Sequence, residues 1–198
     1  MTSLAIFDYG AGNIFSLRNS LEREGAKVDV IADFEGFKRY DGLLLPGVGN
    51  FDPAVRSMEK KQFHEFVADS TPVLGICLGM EMFFESSQEG VEKGLGVMDG
   101  KVVVLPPSLK VPHMGWNDLE IKKPGRLLDG VEDGSWVYFV HSYRAEPASD
   151  VVTAESDYGV RIPAVVEQGN YFGTQFHPEK SGSAGKAMIR NFIRECKK

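Results

Sequence analysis

Cys77 stands in Gly75-Ile76-Cys77-Leu78-Gly79, directly after the apolar run Pro72-Val73-Leu74. Glycines on both sides of a nucleophile at a strand end permit a sharp strand-to-helix turn, because no Cβ obstructs the fold. Such a turn thrusts its central side chain outward. The residues that follow, Met80, Met82, Phe83 and Phe84, predict an apolar helix whose N-terminal partial charge favours a thiolate. The competing reading is a buried cysteine acting as a small hydrophobe. A helix N-terminus contributes about 0.3–1 kcal/mol, less than the roughly 1.4 kcal/mol of one pKa unit, so a thiol reactive at neutral pH also needs an imidazolium beside it.

Four histidines could supply that base. His64 lies in the polar helical stretch Lys60-Lys61-Gln62-Phe63-His64-Glu65 and reads as a solvated surface residue. His113 and His141 read as loop or strand-end histidines with local hydrogen bonds. His177 differs: it follows the apolar strand Tyr171 to Phe176, precedes Pro178 and lies two residues from Glu179. Residues i and i+2 of an extended segment share a face and proline fixes φ, so a lasting imidazole–carboxylate pair is expected. The alternative is an ordinary turn before the last helix. Acyl chemistry at Cys77 would further need two amides aimed at a developing oxyanion, each contributing about 2.7–4 kcal/mol. One candidate is the amide of Leu78, after the nucleophile. The other lies in the turn Pro46-Gly47-Val48-Gly49, which can also be read as a plain strand-to-helix connection.

The elements that must position these groups follow from hydrophobic spacing. Leu4 to Phe7, Lys27 to Ile31, Gly42 to Leu45 and Val73 to Ile76 read as strands. Between them, Ile14, Leu17 and Leu21 mark a helix ending at Gly25, and Val55, Met58 and Phe63 mark another over Phe51 to Phe66. Strands alternating with helices predict an open, mostly parallel α/β sheet with helices on both faces. In such a sheet the strand ends present their turns on one edge, where sites form. From about residue 97 the texture becomes strands and turns, at Val97 to Leu105, Trp116 to Ile121, Trp136 to Val140, Val151 to Ala154, and a hairpin of Ala164 to Glu167 with Tyr171 to Gln175. This predicts an antiparallel extension. A final helix, capped by Ser181 or Ser183, carries Ala184, Ala187, Met188, Phe192 and Ile193 on its apolar face. No linker-like composition divides residues 1–198, so one domain is expected.

Composition narrows the function. The 198 residues are 42% hydrophobic and 25% charged, with net charge −6 and no basic cluster beyond Lys122-Lys123, which argues against nucleic acid and anionic membranes as partners. No apolar run is long enough to span a membrane, and Asp8 interrupts Leu4-Ala5-Ile6-Phe7, leaving no visible export signal and an expected cytoplasmic location. Cys77 and Cys196 make no disulfide framework, and Cys196, in a charged terminus, reads as incidental. The histidines and cysteines lack metal-ligand spacing. Gly10-Ala11-Gly12 is not a dinucleotide fingerprint, since Phe15 occupies the place of the third glycine. No cofactor or metal is expected.

Gly75-Ile76-Cys77-Leu78-Gly79-Met80 and Phe176-His177-Pro178-Glu179-Lys180-Ser181 resemble the motifs of class I glutamine amidotransferase domains. Four more, Asp8-Tyr9-Gly10-Ala11-Gly12-Asn13, Pro46-Gly47-Val48-Gly49, Pro112-His113-Met114-Gly115-Trp116-Asn117 and Tyr138-Phe139-Val140-His141-Ser142-Tyr143, are similar to those of the glutaminase subunits of imidazole glycerol phosphate synthases. The six motifs span nearly the whole chain. The resemblance implies a Cys77–His177–Glu179 triad that hydrolyses glutamine through a cysteinyl thioester. It also implies oxyanion amides at Val48 and Leu78 and a glutamine pocket of Gly49, Glu81, Ser142 and Tyr143. Ammonia would pass to a separate (β/α)8 cyclase subunit in histidine biosynthesis, in a heterodimer whose cyclase face includes Trp116, Tyr138 and Lys180. Apolar packing, or a solvated lysine, would equally account for those three.

Two departures from the family pattern stand out. Glu81 occupies a position where the family usually carries a substrate-contacting Gln. An ionised carboxylate could hold the substrate ammonium but could not donate to a carbonyl or carboxylate. Asn50-Phe51-Asp52-Pro53 replaces the usual small residue after the Gly-Val-Gly turn, which is expected to shift the next helix without touching the chemistry. Gly47 and Gly49 make the Val48 peptide cheap to reorient, so the isolated chain is expected to be slow and an occupied partner to accelerate it. Rival readings are the glutaminase of a different class I amidotransferase, a peptidase-like hydrolase with the same triad, and an idle scaffold that binds glutamine and a partner.

Overall fold

A computed structural model describes residues 1–10, 13–35, 37–58, 63–65, 67 and 70–197. The first half alternates β1 (Ser3–Phe7), α1 (Ile14–Arg23), β2 (Lys27–Ile31), β3 (Gly42–Leu45), α2 (Phe51–Ser57), β4 (Val73–Ile76) and α3 (Leu78–Glu81). The second half supplies β5 (Ser86–Ser87), β6 (Gly100–Val104), β7 (His113–Asp118), β8 (Glu120–Ile121), β9 (Trp136–His141), β10 (Tyr143–Pro147), β11 (Val152–Asp157), β12 (Arg161–Gln168), β13 (Tyr171–Thr174) and α4 (Gly182–Glu195). Eight strands form the main sheet in the order β2-β1-β3-β4-β13-β12-β11-β8. The first five run parallel and the rest antiparallel, so the mixed α/β architecture agrees with the sequence expectation.

Strand alternation creates two cores. Leu4 and Ile6 of β1 face one side, with Leu17 and Leu21 of α1 and Met188 and Phe192 of α4. Ala5 and Phe7 face the other, with Phe51, Ala54 and Val55 of α2. Both faces of β3 and β4 are covered, which is why these strands are apolar at every position that carries a side chain. Parallel neighbours β3, β4 and β13 end on the same edge. Those ends lead into the Gly47 turn, Cys77 and Gln175–His177, respectively.

Several expected elements differ. The helix after Cys77 is only Leu78–Glu81. The carbonyls a longer helix would use are taken by a loop: Leu95 N donates to Met82 O, and Val97 and Met98 donate to Phe83 O. The same contacts shorten the strand expected from Val97, which starts at Gly100. Trp116 to Ile121 is two strands, β7 paired to β9 and β8 paired to β11, because buried Leu119 donates its amide to Ser135 O and separates them. Ser181 does not cap α4 through its side chain, because that hydroxyl is engaged elsewhere. Within Phe51 to Phe66, α2 ends at Ser57, and residues 59–62 and 66 lie outside the described ones, as do Ala11 and Gly12 of the first glycine turn. Cys196 is buried against the first of the two cores.

Candidate active site

The turn after β4 has the geometry its glycines require. Cys77 has φ +48°, the left-handed region that a residue with a Cβ enters only under constraint. Close approach fixes the flanking residues: a Cβ on Gly75 would lie 2.5 Å from Gly79 O, and one on Gly79 would lie 2.1 Å from Leu45 O. The elbow does not present a solvated thiol. Cys77 is 6% exposed and lies in the wall of a cavity of about 260 Å³ shared with Gly47, Val48, Gly49, Leu78, Glu81, Glu89, Pro112, Val140, His141, Ser142 and Tyr143. Burial, and next the carboxyl of Glu81, push the thiol well above its ordinary range, and the Leu78 amide and Gln175 side chain oppose them. The expected thiolate-favouring setting is therefore reversed in this state, because desolvation outweighs one short helix turn.

His177 and Glu179 pair as their spacing suggests. His177 Nδ1 lies 2.9 Å from Glu179 Oε1, with both side chains almost fully buried. Since the carboxylate accepts, Nδ1 carries the proton and Nε2 is left with a lone pair and no hydrogen-bond partner among the described residues. The ring lies close to the Gly47 turn, where a Cβ on Gly47 would come within 2.9 Å of His177 Cε1. The backbone around His177 is held from two sides: its N–H donates to Tyr138 O at 2.9 Å, and its carbonyl accepts from Ser181 Oγ at 2.6 Å. Ser181 Oγ in turn accepts from Tyr138 N at 3.0 Å. The hydroxyl expected to cap α4 instead ties β9 to the His-Pro-Glu segment.

Cys77 Sγ donates to Val140 O at 3.7 Å and receives Gln175 Nε2 at 3.7 Å. The Leu78 amide donates to Gly47 O across 3.5 Å. A trans peptide sets C=O and N–H on opposite sides, so the Val48 N–H points away from the Leu78 amide. The two expected oxyanion donors do not converge in this state.

The pocket residues Gly49, Glu81, Ser142 and Tyr143 all line the cavity. Glu81 is buried and accepts from Gln175 Nε2 at 3.0 Å; burial pushes its carboxyl up to about 8. Tyr143 is also raised, by partial burial and then by Glu89 and Glu81. Two polar residues escaped the sequence reading. Gln175 is buried beneath Cys77, and its place in an apolar strand end gave no sign of that role. Glu89 lines the cavity from a loop, accepts the Phe51 amide at 3.2 Å, and is raised first by burial. Asp52, in the segment that departs from the family pattern, accepts from Val91 and Glu92 amides at 3.0–3.1 Å and so fixes the loop carrying Glu89. That departure reaches the pocket wall after all.

Of the remaining histidines, His141 lines the cavity with Cys77. His113 and His141 are buried and share a 2.9 Å hydrogen bond, and His141 Nδ1 donates to Tyr143 O at 2.6 Å. His64 is exposed and contacts Leu95 O. Trp116 and Tyr138 meet edge to face at 5.9 Å, and Lys180 Nζ sits over the Tyr138 ring at 5.7 Å. With exposed Met114 and Trp136 they form an aromatic patch on the two-stranded sheet β7-β9. No helix among the described residues is long and apolar enough to cross a membrane.

The chain is similar to known proteins over nearly its whole length. The family described as Glutamine amidotransferase class-I matches residues 5–196. An imidazole glycerol phosphate synthase subunit HisH of Archaeoglobus fulgidus is 48% identical over 98% of this chain and 100% of its own. The HisH subunit of Methanothermobacter thermautotrophicus is 47% identical over 96% of this chain and 97% of its own. Among solved structures, PurLQS of Thermotoga maritima superposes with TM-score 0.77 at 21% identity, covering 98% of each chain. A glutamine amidotransferase of Thermotoga maritima gives 0.71 at 16% identity, over 100% of this chain and 99% of that one, and both show a shared fold. With the family match running almost end to end and near-half identity to full-length relatives, the chain belongs to the class I glutamine amidotransferases, in the group of HisH subunits of imidazole glycerol phosphate synthase.

Proposed function

We propose that this chain hydrolyses glutamine to glutamate and ammonia at Cys77 and delivers the ammonia to a separate (β/α)8 cyclase chain in histidine biosynthesis. The observation that carries the chemistry is a left-handed elbow cysteine in the wall of a small cavity, with the buried His177–Glu179 pair on the neighbouring strand end. The cavity is smaller than the roughly 300–1,000 Å³ typical of drug-sized ligands, as suits one amino acid.

Cys77 Sγ attacks the side-chain amide carbon, and its proton passes to His177 Nε2, the nitrogen left free by the Glu179 bond. Collapse of the tetrahedral intermediate returns that proton to the leaving nitrogen, releasing ammonia and a γ-glutamyl thioester. Water then gives a proton to Nε2 as it attacks the thioester, and the proton returns to sulfur as glutamate leaves. Glu179 holds the tautomer and balances the imidazolium. The Val48 and Leu78 amides bind the oxyanion once the Gly47–Val48 peptide has turned. Gly49, Ser142, Tyr143 and Glu81 bound the substrate, and the carboxylate of Glu89 suits its α-ammonium.

The cyclase docks on the face of Trp116, Tyr138 and Lys180. Support comes from the packing of Trp116 and Lys180 around Tyr138 of β9, next to His177, since Tyr138 contacts the His177 backbone directly. The test is glutamate release with and without the cyclase chain. Cys77→Ala abolishes release while retaining cyclase binding; hydrolysis that survives the substitution sinks the assignment.

A further inference from the structure

Glu81 is a poor place for a charge. It lies on the same face of the α3 turn as Cys77, four residues on, and is 4% exposed. One side-chain amide serves both residues: Gln175 Nε2 reaches Glu81 Oε1 at 3.0 Å and Cys77 Sγ at 3.7 Å. The groups facing Glu81 are Cys77 at the start of its own element, Tyr9 after β1, Glu89 in the loop after β5, Tyr143 at the start of β10 and Gln175 after β13. None is a cation, and no ion pair to Glu81 occurs among the described residues. Glu89 and Glu81 also share one cavity with the nucleophile, so two carboxylates and a thiolate would set three negative charges around one small substrate.

We infer that Glu81 serves this site as a neutral carboxylic acid, donating its proton to an acceptor in the pocket, and that its ionisation shuts the site by setting a negative charge against the Cys77 thiolate. Oε1 is held as an acceptor by Gln175, which leaves the proton to Oε2. A neutral acid can then act as a donor, which a carboxylate cannot. The carboxyls divide the work by environment: Glu89, only partly buried, carries the charge that meets an ammonium, and Glu81 stays uncharged. The direction of burial agrees, since the Glu81 carboxyl is pushed up to about 8 and is among the causes that raise Cys77. The site is thus on below that value and off above it.

The inference rests on the glutaminase reading for its substrate but not for its switch, and the experiment separates the two. Cys77 in the full chain is alkylated with chloroacetamide from pH 6 to 11 and followed by peptide mass spectrometry, so that Cys196 does not interfere. Glu81→Gln, isosteric with the neutral acid, should lower the midpoint of Cys77 alkylation by about one pH unit or more, the size of a neighbouring-charge effect. In parallel, kcat/KM for glutamine with the cyclase chain present should begin to fall about tenfold per pH unit above pH 8 in the wild type, and in Glu81→Gln that onset should move to higher pH, leaving the limb set by the substrate's own α-ammonium. An unmoved alkylation midpoint, or identical alkaline limbs, overturns the inference. Absence of glutamine hydrolysis at every pH would overturn the substrate reading, and the alkylation profile would still decide the role of Glu81.

Discussion

The Leu78 amide donates to the Gly47 carbonyl across 3.5 Å, linking the residue after the nucleophile to the turn that leaves β3. The long bond occupies a donor that an oxyanion would need, and it is made by the same peptide whose N–H belongs to Val48. One rotation of that peptide therefore removes the blocking carbonyl and supplies the missing donor. Val48 itself is partly exposed, so a partner chain or a substrate can bias the turn without opening the core.

The first prediction concerns this peptide. One missing preorganised oxyanion donor costs about 10²–10³ in rate, and here the Val48 amide is turned away and the Leu78 amide is occupied, so glutamate release by the isolated chain should rise by at least that factor when an occupied cyclase is added. Single-turnover rates with and without the cyclase check it. Equal rates would mean the Gly47–Val48 peptide is not the gate.

Ser181 is predicted to position His177. Its hydroxyl donates to His177 O and accepts from Tyr138 N inside the protein, so Ser181→Ala strips the Tyr138 N–H of this acceptor and leaves His177 O with the Lys180 amide. The loss should be about 1–3 kcal/mol in urea unfolding. A fall in kcat with little change in KM distinguishes positioning from simple destabilisation. Ser183→Ala, at an exposed position, should change stability by no more than about 0.5 kcal/mol.

Glu89 is predicted to hold the substrate ammonium. Glu89→Gln should raise KM for glutamine by about tenfold or more, as expected for losing a charge-assisted hydrogen bond, with a smaller effect on kcat. Burial raises the carboxyl of Glu89, so as pH falls through that raised value the carboxylate is protonated and wild-type KM should climb. The climb should vanish in Glu89→Gln. A KM that follows pH identically in both chains would remove Glu89 from the pocket.

His113 and His141 are predicted to make the fold acid-sensitive. Burial lowers His113 to about 4 and His141 to about 3, from ordinary values near 6.5. Between those values and about 6.5 the unfolded chain binds more protons than the folded one, so stability is fully present above pH 6.5 and declines as pH falls towards 4. Each histidine contributes a slope of at most about 1.4 kcal/mol per pH unit. Urea midpoints at pH 7, 6 and 5 read the decline, and NMR of the ring protons should show both histidines untitrated in the folded protein at pH 5. Titration of either near 6.5 would sink the prediction.

Much of the site was legible because its motifs are local. Glycines around Cys77 specify a tight turn wherever the chain folds, and His177, Pro178 and Glu179 lie within three residues, so their spacing alone pairs imidazole with carboxylate. The apolar runs of β3 and β4 likewise announce strands covered on both faces. Legibility failed where the partner is remote in sequence. Val97 and Met98 ended α3 by taking the Phe83 carbonyl, and Glu89 reached the pocket because Asp52 and Phe51 hold its loop. Ser181 looked like a helix cap because a cap and a bridge to β9 use the same hydroxyl.

The amino-acid sequence by itself determined which groups could react: one elbow cysteine, one histidine with a carboxylate two residues away, and a glycine-flanked turn able to rotate. Only the tertiary structure decided their state. Burial beside Glu81 raises the thiol that the helix N-terminus was expected to lower, and the Gly47 carbonyl occupies the Leu78 amide that the motif offered to an oxyanion. Solvation and peptide orientation depend on what packs around a residue, and that is set by strands meeting from opposite ends of the chain.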